Sequence, residues 1–299
     1  MNQLLALLDE LDNLDLSRHP VNEIQQILDQ IDFSEMVQFE MPIDTIIYRA
    51  RPNEPKSFSM KSELSYKPQK YNTTYQRCST PKNTMFYGSP VSPTSGLPAS
   101  EDIYPVLTGL FESSITYRKN KLISEEKITI GRWKTTQPIK LICIYLPSSI
   151  KLYPNYFNHN EVCNIIRSKT PSDKTLVINE FFGQKFYHSN IRHDYDYMIS
   201  AKLSEHLINL GFEGVLYPST KIQGENLNVC LTENCVNNKL KLIQAAESII
   251  MKYGYQNDIV HQSFAKIIDD TIPFNFNELK NKSELDQVWS DLQEMDQFS

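Results

Sequence analysis

Six side chains occupy settings where their chemistry matters more than their bulk. Ser219 follows Tyr217-Pro218 inside the stretch Gly211 to Leu231, GFEGVLYPSTKIQGENLNVCL. Nine glycines occur in 299 residues, and three of them (Gly211, Gly214, Gly224) crowd this window. Glycine reaches φ > 0 and lets other groups approach the backbone closely, while Pro218 fixes φ and lacks an N–H. Two readings fit the flanking apolar runs Val215-Leu216 and Leu227-Cys230: a hairpin turn that Ser219 caps, or a rigid turn presenting a hydroxyl. Asn228, on the second run, is placed to bond the backbone of that turn. Arg49 closes the apolar run of IIYRARP, and Glu112 ends the apolar segment VLTGLFESS. Arg77 lies in TYQRCSTPKNTMFYGS, just ahead of a strand-like run ending in Tyr87. A guanidinium pairs bidentately with oxyanions. A carboxylate stabilises a cationic centre, and a tyrosine ring stacks on a planar ligand. Each also has a plain alternative: a strand-end charge for Arg49, a surface carboxylate for Glu112, a solvated loop residue for Arg77.

The elements that must hold these residues follow from periodicity. Leu4, Leu7, Leu8, Leu11 and Leu14 repeat at helical spacing, as do Ile24, Ile27, Leu28 and Ile31 after Pro20, which predicts a helical hairpin over residues 1–36. Thr45 to Tyr48 and Met85 to Tyr87 read as strands, and the Pro/Ser-rich Ser89 to Ser100 as an exposed loop. A helix is expected from about Ser100 to Ser113, since Ser100-Glu101-Asp102 makes a capped, acidic start. Lys127 to Ile130 and Ile139 to Leu146 are further strands, and residues 150–192 read as irregular. Ile199, Leu203, Leu207 and Leu210 mark a helix from Tyr195 that Gly211 terminates. In Lys239 to Tyr253, KLKLI alternates like a strand while IQAAESIIM has helical composition. Helical signals recur at Val260 to Ile268 and Leu285 to Met295. Trp133 in GRWK reads as core packing, and His188 and His193 in YHSNIRH as loop residues, with the edge of a site as the alternative. The order of elements predicts an α+β fold, a mixed β core with helical additions at both ends. The expected organisation is a helical extension over 1–42, a catalytic region over 43–253 and a polar helical tail over 254–299.

Composition sets outer bounds. Apolar residues make up 40% and charged ones 22%, so a folded core is expected. The net charge of −6 argues against nucleic acid as the main partner, yet leaves room for a local basic pocket. The five cysteines show no CxxC pair and no zinc spacing, which fits reduced core thiols and no metal. Acidic residues interrupt the apolar start MNQLLALLDELD, and no Lys or Arg precedes it, so no signal peptide is read. No apolar run reaches the length of a membrane span. Together these point to a cytoplasmic location, and the Asn, Ile and Lys usage to an AT-rich bacterial genome.

Taken together, YRARP, QRCSTPKNTMFYGS, GLFESS followed by ITIGRW, and GFEGVLYPSTKIQGENLNVCL resemble the RES domain family over roughly residues 43–250. The family is named for an Arg, a Glu and a Ser, which correspond here to Arg49, Glu112 and Ser219. Tyr87 matches an aromatic position of the same pocket, and Arg77 the arginine of a Gly-Arg block. Two departures stand out. Gln76-Arg77-Cys78-Ser79 replaces the usual Gly-Arg wording, and the Pro/Ser loop lengthens the interval from Tyr87 to Glu112. Glu101, Glu125 and Glu126 therefore compete with Glu112 for the carboxylate position. The resemblance implies an ADP-ribosyltransferase-like fold acting on NAD+ as substrate, by hydrolysis or with inorganic phosphate as co-substrate. It implies a toxin-type activity, held by an antitoxin protein or by a homodimer contact through the helical extensions. Protein ADP-ribosylation is the alternative chemistry, and a non-catalytic NAD+- or partner-binding module the alternative class. In the implied roles Glu112 stabilises the oxocarbenium-like centre formed as the nicotinamide–ribose bond breaks. Arg49 and Arg77 pair with the pyrophosphate, Tyr87 stacks on nicotinamide, and Ser219 positions by hydrogen bond, since no His/Asp pattern accompanies it as a nucleophile.

Overall fold

A computed structural model describes residues 1–53, 57–91, 104–115, 123–148, 171–188, 191–219, 227–253 and 256–278. Among these residues stand seven α-helices and ten β-strands, one neighbouring pair of which runs parallel, so the chain is α+β with mixed strand pairing. Most of the Pro/Ser loop, Glu101, Gly224 and the helical signal at Leu285 to Met295 lie outside the described residues. Contacts group the chain into two units. The first comprises Met1–Pro42, Tyr66–Tyr87 and Pro138–Asn238, the second Ile43–Ser65, Gly88–Gln137 and Lys239–Ser299.

In the first unit the hairpin forms as its spacing requires. Helix α1 (Asn2–Asp12) buries Leu4, Leu7, Leu8 and Leu11, and α2 (Val21–Leu28) buries Ile24, Ile27 and Leu28. These side chains close on Ile178, Phe182 and Phe186 of α5 (Asp173–Tyr187) and on Leu203 and Leu207 of α6 (Met198–Asn209). Each such burial stabilises the fold by about 1.5–3 kcal/mol, so the surface that covers the hairpin belongs to the same unit. Helix α5 is a correction to the irregular reading of residues 150–192. Ser172 caps it, accepting from the Thr175 N–H at 3.2 Å, and its apolar face repeats every fourth residue. The strands of this unit are β1 (Gln38–Met41), β5 (Ile139–Cys143), β6 (Gly214–Pro218) and β7 (Leu227–Thr232), adjacent in that order. Because β5 and β6 run parallel, the chain must cross over between them, and α5 and α6 lie in that connection. The four described cysteines are free, buried thiols.

Two glycines set the entry to β6. Gly211 has φ +101°, a left-handed conformation in which a side chain is strained even though nothing lies within 4 Å of a Cβ there. At Gly214 the constraint is proximity. A Cβ would sit 2.1 Å from the Cys230 carbonyl oxygen of β7 and 2.9 Å from Leu231 Cδ2.

In the second unit β2 (Ile46–Pro52) runs antiparallel to β4 (Ile123–Thr135) on one side and meets Ser89 and Pro90 of β3 (Met85–Pro90) on the other. Strands β8 (Leu240–Tyr253), β9 (Gln256–Lys266) and β10 (Asn277–Glu278) continue outward from β4. The helical tail expected from residue 254 is corrected here: Val260 to Lys266 is strand, and IQAAESIIM is strand as well. Pairing of β8 along nearly all of β4, and of β9 along β8, outweighs the helical composition of both segments. Helix α4 (Tyr104–Ser113) lies on β2, with Leu110 and Val106 packed among Tyr48, Ala50, Ile128, Ile130 and Ile250. Trp133 is fully buried, with Lys61 of the short helix α3 (Lys61–Leu64) over its ring and that ammonium 2.8 Å from Asp270.

His206 of α6 meets the hairpin through a contact of 3.1 Å between its Nδ1 and Gln25 Nε2, and the same nitrogen lies 3.4 Å from Asp29. Burial pushes the His206 pKa down, Asp29 opposes that shift, and Lys202 adds to it. A histidine whose folded pKa is depressed binds fewer protons than in the unfolded chain, so stability should fall as pH drops below about 6.5. Denaturant titrations at stepped pH check this, and His206→Gln should flatten the slope, leaving the part due to His261, which burial also lowers. The two glycines give a second test. Gly214→Ala should cost about 1–3 kcal/mol by forcing strands apart, and Gly211→Ala about 1–2 kcal/mol through backbone strain alone, both read from urea midpoints.

Candidate functional site

Tyr87, Ser219, Asn228 and Arg77 fall in the first unit, and Arg49 and Glu112 in the second. In the first unit Tyr217 and Asn228 are opposite one another on β6 and β7, and Ser219 follows two residues after Tyr217. Alternation along the strands puts all three on one side of the hairpin. Ser219 is fully buried and Asn228 nearly so. Strands β6 and β7 form an antiparallel pair with Tyr217-Pro218 inside β6 and the buried Ser219 just past its end, while residues 220–226, where the turn is expected, lie outside the described residues. The Tyr217 ring packs against Phe186 of α5 with centroids 5.2 Å apart.

Tyr87 has two faces. As a residue it is half-exposed, while its hydroxyl lies enclosed between the turn Gln76–Ser79 and β7. The Cys78 N–H donates to the phenol oxygen at 3.0 Å, and Ser79 Oγ lies 2.8 Å from it. Burial drives the Tyr87 pKa well above its ordinary value, and the Cys78 and Cys230 thiols add to the shift, so the phenol stays neutral. Burial acts the same way on Tyr217 and on Cys230, whose thiol also bonds Cys78. The product is an aromatic ring tethered through its hydroxyl and packed against the core of the first unit. Its anchors, Cys78 and Ser79, were missed as site residues, although they stand in the quoted QRCS departure.

Arg77, at the tip of the same turn, points its fork at a helix end. It donates to the Phe186 and His188 carbonyls at the C-terminus of α5, the latter at 3.3 Å, and lies 5.3 Å from the centre of the Tyr197 ring. The last carbonyls of a helix have no intrahelical donors, and a cation there also meets the negative end of the helix dipole. His193 is exposed and stacks on Tyr195 at 4.8 Å, as a loop residue does.

In the second unit Arg49 is half-buried within β2, opposite Gly131 of β4. Glu112 is half-buried near the end of α4 and shares a helix face with Thr108 and Gly109. That face lies on β2: a Cβ at Gly109 would stand 3.6 Å from Ala50 N. Strand alternation sends the Arg49 side chain to the side opposite Tyr48 and Ala50, which α4 covers. The elements carrying Arg49 and Glu112 are packed together, with α4 on the side of β2 that carries Tyr48 and Ala50. On the α4 side stands a guanidinium the sequence reading passed over, Arg132 of GRW. It is buried, sits opposite Tyr48, and reaches Gln244 Oε1 at 3.4 Å. Its signal was a charged residue at a position where β4 otherwise alternates to Ile128 and Ile130. Of the competing carboxylates, Glu126 accepts from Ser114 Oγ and, at 3.0 Å, from the Ile115 N–H, which ties it to the end of α4. Glu125 is exposed on β4.

No protein-family model and no curated protein matches the sequence. Among solved structures, the chain is similar to one in the crystal structure of the M. tuberculosis MbcT–MbcA toxin–antitoxin complex. The TM-score is 0.32 at 9% identity, over 75% of this chain and 91% of that one. No helix among the described residues is long and apolar enough to cross a membrane, and no group of three or more His, Cys, Asp and Glu among them is arranged to hold a metal.

Replacing Arg77 by alanine should cost about 1.5–3 kcal/mol, the range for a hydrogen bond to a charged group. Arg77→Lys should recover only part of this, because an ammonium cannot span two carbonyls and stack on Tyr197 at once. Urea unfolding of both variants beside wild type checks the order.

Proposed function

We propose that this chain is an enzyme that consumes NAD+ by breaking the nicotinamide–ribose bond. Nicotinamide leaves with the bonding electron pair, and the ribose carbon takes an oxygen from water, or from inorganic phosphate as co-substrate. The observation that carries the reading is the Tyr87 ring, tethered through its hydroxyl in a residue that is only partly buried. A flat, pre-set aromatic face suits a neutral or cationic heteroaromatic ring, and the tether removes the entropy cost of ordering it on binding. Ser219 and Asn228 supply buried polar atoms near the same strands, suited to holding ribose hydroxyls or an amide. The family resemblance alone, and not a shared geometry, carries over Arg49 for the pyrophosphate and Glu112 for the developing positive charge at the ribose. An antitoxin-like protein is the proposed partner, following the family resemblance.

Purified protein incubated with NAD+, with and without phosphate, should release free nicotinamide together with ADP-ribose or its phosphorylated form. Glu112→Gln should lose about 10²–10³ in kcat, the size of one transition-state electrostatic contact, while unfolding at the same urea concentration. Radiolabel that stays on protein identifies ADP-ribosylation instead, and wild type that leaves NAD+ intact under both conditions ends the enzyme reading.

A further inference from the structure

We infer that Glu205 of α6 is a positioning residue for Tyr87, acting through Thr80 and the Gln76–Ser79 turn; its relevance to substrate rests on the NAD+ reading above.

The segment carrying the turn has little regular structure of its own. Gln76 and Ser79 exchange two backbone bonds at 2.9 and 3.1 Å, closing a tight loop with Arg77 and Cys78 at its tip. The following residues make a second isolated bridge between Thr80 and Asn83, with Lys82 at φ 67°. Asn72 holds this second loop from inside, donating to the Thr80 carbonyl at 2.8 Å and accepting from Lys82 N–H at 2.7 Å through its own carbonyl. A segment with two isolated bridges and no ladder takes its position from side-chain anchors.

Two anchors reach it from the helices. Arg77 ties the tip to the end of α5. On the other side Glu205 Oε1 accepts from the Thr80 hydroxyl at 2.9 Å and from Asn83 Nδ2 at 3.4 Å, while its second oxygen pairs with Lys202. Burial alone would raise the Glu205 pKa, but the bonds from Lys202, Thr80 and Asn83 outweigh it and keep the carboxylate ionised. Hydrogen bonds to an ionised acceptor are about twice as strong as neutral ones, which suits a long-lived anchor. Thr80 adjoins Ser79, and Ser79 and Cys78 are the groups that grip the Tyr87 hydroxyl. Release of Thr80 therefore loosens the grip on the phenol without touching the ring.

The test uses the full chain. Thr80→Val removes the hydroxyl donor, Thr80→Ser keeps it, and Glu205→Ala removes the acceptor. Amide exchange followed by NMR should speed up at Cys78, whose N–H bonds the phenol, in Thr80→Val and Glu205→Ala and return toward wild type in Thr80→Ser. In turnover assays the first two variants should raise KM for NAD+ about fivefold to tenfold with little change in kcat, the size of one aromatic stack. Combining them should add little to either alone, since both cut the same bond. Unchanged exchange at Cys78 in Thr80→Val overturns the inference, and that variant covers the case in which Glu205→Ala leaves Lys202 too poorly paired to fold. Faster exchange with kcat falling in place of KM overturns the positioning role as well. If wild type consumes no NAD+, the exchange result still decides whether Glu205 holds Tyr87, and only the substrate reading falls.

Discussion

Enclosing a phenol is costly unless its oxygen finds a partner, and the first unit supplies two at Tyr87. The partners are a backbone N–H and a serine hydroxyl on an irregular turn, and not groups on a helix or strand. An unpaired buried hydroxyl costs about 1–3 kcal/mol, so the turn has to stay where it is for the tyrosine to stay in. The turn has few bonds of its own. Its place is passed on to α5 through Arg77 and to α6 through Thr80 and Glu205. Those helices are fixed by the apolar contacts of Phe182, Phe186, Leu203 and Leu207 with the N-terminal hairpin. The helical start of the chain thus supports the tyrosine at three removes.

The parallel pairing of β5 and β6 explains why such a route is available. A parallel neighbour demands a long crossover, and the crossover carries α5 and α6. Helices placed there present an exposed C-terminus and a polar flank at the level of the β6–β7 hairpin, where Tyr217, Ser219 and Asn228 gather. The second unit works differently. Its described strand pairs are antiparallel, its one long described helix lies flat on β2, and its buried polar groups sit within the strand pairs. Asn53, Thr129, Glu247 and Ser263 bond one another at 2.6 to 3.0 Å across neighbouring strands. Such a network fixes strand register because a slip of one residue would leave every member unpaired.

What could be read from sequence follows from which forces are local. The hairpin was legible because Leu4 to Leu11 and Ile24 to Leu28 repeat at the period of a helix, and the glycine-framed entry to β6 because Gly211 and Gly214 answer to backbone constraints within a few residues. Helix α5 was not. Thr175, Asn179 and Gly183 interrupt its apolar stripe, and they are there because Asn179 bonds Thr175 and Gly183 lies against the Tyr145 carbonyl. Strand β8 was left open between strand and helix and β9 was misread for the opposite reason: their residues favour helix locally, and only pairing of β8 with the distant β4 and of β9 with β8 makes them extended. The candidate residues divide the same way. Ser219, Tyr87 and Asn228 stood out through their immediate neighbours, while Arg132 gains meaning from Gln244, far off in sequence, and Cys78 and Ser79 only from the way the chain folds back on Tyr87.

Arg77 shows where sequence-level chemistry stops. A guanidinium just ahead of a strand-like run ending in tyrosine reads naturally as an anion ligand, and its residue type fits that role as well as any. Its fork, however, already spans two carbonyls at a helix end and its plane lies near Tyr197, uses that draw on the same rigid, planar geometry that would bind a pyrophosphate. An arginine so held contributes by fixing the turn beside Tyr87. Arg49 and Arg132 of the second unit differ from it in standing on strands whose pairing sets their direction. Whether a residue binds or positions is decided by what its donors already hold, and residue type alone does not carry that information.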